Sequence, residues 1–416
     1  MPKSDIDGLI LACFNYYHMP HSRLRFGITE LKKKLNFSPV VTLQGPRQCG
    51  KSFFAREILA SDLGPSYRYV TLDTKQNRQL AQNNPSVFLA EFASDNCLAV
   101  DEAQKAPDLF DEIKAKVDVQ KRRGQFLLLG STEFSREVMV RESLTGRVSR
   151  QRLFPLTLAE AHSLEPSLNQ KKSINLHVSP RLKRDDLVAS LRRGGMPGIF
   201  ALRSQAERDQ KLQEWIEVTA YRDLLQFKGA ARPDPELALL ILEAIATLEF
   251  PDVSSIRALV KTDLRRVKTH LNLLEQLFAI QKIRPAKEST GKDLYLLCDS
   301  GLASRLGASF ERLLYTQLVL EVMAHIHYSG QSPLDTKVSY YRAQKGAFVH
   351  LIVESRETVK ALVILSEERW DQRNLRAFSG VTKFFDSKKL ETICLYGGNE
   401  KLQVEKTTFY PWESMA

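Results

Sequence analysis

Residues 45–52 of this chain read GPRQCGKS and meet the pattern G-x-x-x-x-G-K-[ST] at every fixed position. That pattern holds a phosphate only where a strand runs into it and a helix leaves it, and both neighbours are legible. Residues 40–43, VVTL, form a short β-branched run that predicts a buried strand. Phe53, Phe54, Ile58 and Leu59 follow at spacings that put an apolar stripe on one helix face. Gly45 and Gly50 let the backbone turn tightly and offer its N–H groups to an anion. The helix beginning near Lys51 points its positive end at the same place. The reading places a nucleoside triphosphate on Gly45, Pro46, Arg47, Gln48, Cys49, Gly50, Lys51 and Ser52. Lys51 neutralises the β- and γ-phosphates, and the Ser52 hydroxyl ligates Mg2+. Cys49 reads either as a small apolar loop residue or as an oxidation-sensitive point.

An acidic partner follows about fifty residues later. Residues 97–100, CLAV, predict a buried strand that ends in Asp101 and Glu102. Asp101 is placed to hold magnesium through water, and Glu102 to act as the base that orients the attacking water. Two further strands are expected at 67–72 and 125–129. The second ends in Gly130, Ser131 and Thr132, hydroxyls that either sense the γ-phosphate or cap the following segment. Arg147 leads into a fifth strand at 148–153. It reads as an arginine finger near the nucleotide edge, acting in its own subunit or a neighbour's, or else as a surface salt bridge. Strand and helix signals alternate, which predicts a doubly wound parallel α/β sheet with ligand at the C-terminal strand ends.

Composition narrows the class. The chain has 416 residues, 43% hydrophobic and 26% charged, enough for several domains. No apolar run approaches the ~20 residues of a membrane helix, and residues 9–14 read as a short helix rather than a secretory signal. The five cysteines are scattered and not at metal spacings, which points to a reducing, cytoplasmic compartment. A net charge of +11 favours polyanionic partners, or simply makes a basic surface.

The segments GPRQCGKS, NNPSVFL, LAVDEAQKAPDLFDEIKAKVD, LLLGSTEFSREVMVRESLTGRV and LFPLTLAE, in that order, resemble prokaryotic AAA+ ATPases with a winged-helix segment and a C-terminal nuclease-like domain. Arg193 to Pro197 (RGGMP) and Tyr221-Arg222-Asp223 extend the resemblance. It implies ATP as nucleotide, Walker B roles for Asp101 and Glu102, and a nucleotide-responsive Arg147. It also implies that the helical segment after the sheet is a lid that moves with nucleotide state.

The expected architecture is an N-terminal helical extension (1–37), an ATPase core (38–160), a helical lid (161–234), a winged helix-turn-helix (235–306) and a nuclease-like α/β domain (307–416). In the fourth segment, helices at 237–248, 254–260 and 263–278 precede a hairpin of 280–283 with 294–297. Leu264, Val267, Leu271 and Leu274 form the expected core stripe of the last helix. Arg265, Arg266, Lys268 and His270 lie mostly off it, a face suited to DNA phosphates or simply solvated. In the fifth segment, strands are expected at 337–342, 348–352, 360–364 and 391–395. A nuclease of that kind needs an acid on one strand and Glu-x-Lys on the next. Here His350 stands at the first place and Val363-Ile364-Leu365 at the second, so binding without cleavage is expected. The function anticipated is a regulatory ATPase acting on DNA or a DNA-bound partner, as a monomer or homo-oligomer. The alternative is a nucleotide-dependent protein-interaction switch with no nucleic-acid role.

Overall fold

The computed structural model describes residues 23–93, 97–134, 146–165, 176, 182–227, 233–287, 289–331, 335–344, 346–385 and 389–416. The helix expected at 9–14, with Cys13, lies outside them. Helix α1 (Ile28–Leu35) leads into strand β1 (Val40–Gln44). After the glycine loop, α2 starts as Lys51–Phe53, widens into a π-helical turn at Phe54–Leu59 and closes at Ala60–Leu63. There follow β2 (Tyr67–Thr71), α3 (Lys75–Asn83), α4 (Pro85–Glu91), β3 (Cys97–Asp101), α5 (Leu109–Val119), β4 (Phe126–Gly130) and β5 (Val148–Arg152).

These five strands form one parallel sheet in the order β2-β3-β4-β1-β5. Alternate residues face opposite sides of a strand. Val41, Leu43, Leu127 and Leu129 enter one core, while Val40, Leu98, Val100, Phe126 and Leu128 enter another against α3, α4 and α5. A sheet covered on both faces needs apolar residues at nearly every position, which is why these strands were legible as continuous runs.

The chain continues through α6 (Leu158–Ala161), α7 (Arg184–Arg193), α8 (Pro197–Phe200) and α9 (Gln205–Val218). Within the expected helical segment, α9 does not continue as one regular helix: it passes into a π-helical turn, Thr219–Asp223, and a 3-10 turn, Leu224–Gln226. Then come α10 (Pro235–Thr247), α11 (Val253–Val260) and α12 (Leu264–Gln276). Each is capped by an aspartate just before it (Asp234, Asp252, Asp263) that accepts backbone N–H bonds of the first turn. Lys261, at φ 50°, makes the turn between α11 and α12.

Strands β6 (Ile280–Pro285) and β7 (Leu294–Leu297) form the expected hairpin. It is not a separate wing. Helices α13 (Ser300–Arg305) and α14 (Phe310–Tyr328) lead to β8 (Lys337–Arg342), β9 (Phe348–Glu354), β10 (Thr358–Ile364), α15 (Gln372–Leu375), β11 (Lys389–Tyr396), β12 (Leu402–Val404) and β13 (Thr407–Pro411). Strand β6 pairs in parallel with β8 at Arg284–Ser339 and Pro285–Tyr340. One sheet results, in the order β12-β13-β11-β10-β9-β8-β6-β7. The hairpin tip is pinned to β8 as well. Tyr340 donates its hydroxyl to the Lys292 carbonyl at 2.5 Å, and the Thr290 N–H donates to the Arg342 carbonyl at 3.0 Å. A side chain at Gly291 would overlap the Tyr340 phenol, so only glycine fits there.

A single apolar core joins the segments, running from Leu31 through Leu43, Trp215, Ile241, Leu271 and Leu318 to Leu395 and Trp412. His350 is a packed strand histidine. Its Nδ1 accepts the Ile364 N–H at 3.2 Å, its Nε2 lies 3.4 Å from Glu311, and its ring sits edge-on to Tyr315 and Phe348. Among the described residues no helix is long and apolar enough to cross a membrane. Cys49, Cys97, Cys298 and Cys394 are buried free thiols.

Candidate nucleotide site

The glycine loop leaves the C-terminal end of β1 and stands beside the ends of β3 and β4. Its curvature uses two left-handed residues, Gln48 at φ 57° and Gly50 at φ 96°. Gly45 has the Leu153 carbonyl where a Cβ would stand. Pro46 and Cys49 are buried, Gln48 and Ser52 exposed. Lys51 is only 6% exposed. Its Nζ donates to the carbonyls of Gly45 at 2.9 Å and Pro46 at 2.7 Å, which holds the ammonium within the loop. Arg47 turns outward and pairs with Asp223.

The loop has a support that the sequence did not reveal. Arg25, in the segment taken for an extension, is buried beneath it. Its Nη1 donates to the Cys49 carbonyl at 2.8 Å and its Nη2 to the Phe154 carbonyl at 2.7 Å, while Nε lies 3.3 Å from Glu160. Glu160 is fully buried, belongs to the Thr157 capping box of α6 and also accepts the Phe26 N–H. Removing one partner of a buried ion pair strands the other. Arg25→Ala is therefore expected to lower stability by about 3–5 kcal/mol, read as a fall in the denaturant midpoint; an unchanged midpoint would remove Arg25 from this role.

At the end of β3, Asp101 accepts the Tyr69 hydroxyl at 2.5 Å and the Glu102 N–H at 2.9 Å. The Ser52 hydroxyl lies close enough to the same phenol to influence it. Tyr69 thus joins the two residues assigned to the metal, and burial, with Asp101 beside it, pushes its phenol pKa up. Glu102 sits in the left-handed region at φ 55°. Burial first, and the Asp101 charge second, raise its carboxyl above the usual range. Gln104 links the acid to β4: its Nε2 donates to Glu102 at 2.5 Å and reaches Ser131 Oγ at 3.4 Å. The buried Gln104 Oε1 has no hydrogen-bond partner among the described residues and lies against Gly130 at the end of β4. A loop closed to Cβ atoms, a lysine within it and a hydroxyl near a carboxylate fit a magnesium–nucleotide complex.

Three expectations need correction. Arg147 is not at the nucleotide edge. Its carbonyl accepts the Val40 N–H, which puts it where β1 and β5 begin, at the opposite end of the sheet. Its guanidinium pairs with Asp118 at 2.6 and 3.0 Å, the salt-bridge alternative. On α12, Leu264 is 42% exposed and outside the core, because it opens the helix next to its Asp263 cap. His270 is buried instead: its Nε2 accepts the Asp234 N–H and its Nδ1 bonds the Arg266 carbonyl. Arg265 and Lys268 are exposed as expected, whereas Arg266, also exposed, is held by Asp234 at 2.6 Å.

Residues 37–162 match an AAA domain family, and residues 184–312 match a domain of unknown function (DUF8612). The second match spans most of the helical segment together with the helix-and-hairpin unit. Uncharacterized proteins of Mycobacterium bovis and Mycobacterium tuberculosis are each 28% identical over 350 residues, covering 79% of this chain and 71% of theirs. Among solved structures, a Walker-type ATPase of Pyrococcus abyssi is 17% identical, covers 67% of this chain and 94% of its own, and has a TM-score of 0.42. DnaA of Aquifex aeolicus, bound to a nucleotide analogue, is 14% identical over 60% of this chain and 87% of its own, with a TM-score of 0.30. With a phosphate loop and an Asp-Glu strand end in place, the sheet of residues 37–162 has the features expected of the AAA domain family that it matches.

Proposed function

We propose that this chain binds MgATP and hydrolyses it, and that nucleotide state repositions the helix-and-hairpin unit and the C-terminal sheet attached to it. The observation that carries the reading is the convergence of Lys51, Ser52, Asp101 and Glu102 at the C-terminal edge of one parallel sheet. In this reading, loop N–H groups and Lys51 hold the β- and γ-phosphates. Ser52 and Asp101 would hold Mg2+, which when bound neutralises charge on the phosphate oxygens. Glu102 accepts a hydrogen bond from the attacking water, and Gln104 and Ser131 fix the carboxylate's orientation. Arg147 is too far along the sheet to serve its own subunit, so any part it takes is at a neighbour's nucleotide. Phosphate release by purified protein with magnesium and ATP tests the reading, and no release above that of a Glu102→Gln variant sinks it.

The partner in this reading is DNA or a DNA-bound protein, supported by two features. Arg265 and Lys268 are exposed along α12. A pocket of about 810 Å³ beside β6 and β8 is lined in part by Arg284, Lys287 and Lys337, along with Glu354 and the paired Lys282 and Glu275. Arg265→Ala with Lys268→Ala is expected to weaken binding to duplex DNA roughly tenfold at low salt and to reduce the salt slope by about 2. Gel-shift titrations at several salt concentrations measure both, and equal affinity and slope would exclude this face. The pinned hairpin tip favours the second reading, a protein-interaction switch, because a tip bonded to β8 is not free to enter a groove. Wild-type protein that binds no DNA at low salt would select it.

A further inference from the structure

The outer side of the phosphate loop is fastened to α9 and the turn that follows it. Arg47 Nη1 lies 2.8 and 2.9 Å from the two carboxylate oxygens of Asp223. The Arg47 carbonyl accepts the indole N–H of Trp215 at 3.2 Å. Asp223 is 5% exposed and also receives Arg222 Nε at 3.1 Å and Gln226 Nε2 at 3.4 Å. Trp215 is buried. One loop residue is thus gripped at both its backbone and its side chain. Asp223 belongs to the π-helical turn Thr219–Asp223, which packs against α10.

Resting on the ATPase reading, we propose that Asp223 is the positioning residue that ties the phosphate loop to α10, through Arg47. Its effect has two parts. It holds the loop in the backbone shape that wraps phosphate, a shape that includes the left-handed Gln48. It also carries any displacement of Arg47 to the turn on α10, a rigid helix that opens the helix-and-hairpin unit. Coupling of this kind is reciprocal: if nucleotide biases the turn, the turn biases nucleotide affinity by the same factor. Arg222 reaches the same carboxylate from within the turn itself, one residue away.

The test is a double-mutant cycle with Asp223→Asn, Arg47→Met and the pair together, in the full chain. Fluorescent MgADP titration gives affinity, steady-state phosphate release gives KM and kcat, and hydrogen exchange over 235–247 is compared with and without MgADP. Each single variant is expected to weaken MgADP roughly five- to tenfold, the lower part of the range for coupled sites. KM rises correspondingly while kcat changes less than about twofold, because the tether acts on loop shape and not on the water. The double variant is expected to be no worse than the worse single one, and nucleotide-dependent exchange in 235–247 is lost in all three. Arg47 is partly exposed, so its variant keeps the experiment decisive if Asp223→Asn folds poorly. Effects that multiply in the double variant, or affinity and exchange like wild type in either single one, overturn the proposal. Wild-type protein that binds no nucleotide overturns the ATPase reading instead.

Discussion

Lys51→Ala is expected to abolish measurable MgATP binding in an otherwise folded protein. The lysine is buried within the loop, with its ammonium already directed by two loop carbonyls. It reaches phosphate without leaving the loop, so little side-chain entropy opposes the contact. Two charge-assisted bonds to phosphate, at about 1.5–3 kcal/mol each, correspond to a rise in Kd of about 10²–10⁴. Calorimetric titration with MgATP and MgADP measures this. A variant that binds both as wild type does would move the nucleotide away from this loop.

Glu102→Gln is expected to separate binding from turnover. Affinity for MgATP stays within a few-fold of wild type, while the hydrolysis rate falls by about 10²–10⁴, the usual span for a lost general base. Misfolding would not explain that loss. The carboxyl is raised by burial and by Asp101, so ionising it opposes folding. Stability is full when the acid is protonated, and some of it is lost as pH rises through the raised value. Glutamine mimics the protonated acid, so the variant should melt no lower than wild type. The same shift sets a pH profile: turnover rises with pH as Glu102 ionises, with its midpoint above the ordinary glutamate range. Single-turnover phosphate release across pH reads both effects. A Gln variant with wild-type turnover would remove Glu102 from the chemistry.

Much of the ATPase sheet was legible because its strands are buried on both faces. The runs at 40–43, 97–100 and 125–129 could only be interior strands, and the spacing of Gly45, Gly50, Lys51 and Ser52 left their common purpose open to direct reading. The residues that escaped are those whose role depends on distant contacts. Arg25 precedes the motif by twenty positions and carries no local pattern, yet it lies under Cys49. Tyr69 looks like one more β-strand aromatic, and only the register of β2 against β3 places it on Asp101. Arg147 precedes β5, and in a parallel sheet the start of a strand lies opposite the C-terminal edge where the loop stands, which leaves its salt-bridge reading. His270 fell on the polar side of a helical pattern, and the aspartate cap of α10 drew it inward.

The shared sheet has a consequence for how this chain may be divided. A cut after residue 306 severs no linker. It strips β6 of its neighbour β8 and leaves each fragment with a raw strand edge, the kind that recruits foreign strands. The hairpin is better regarded as the first strand pair of the C-terminal body, donated by the segment before it. Whatever swings α12 must therefore carry that whole slab along.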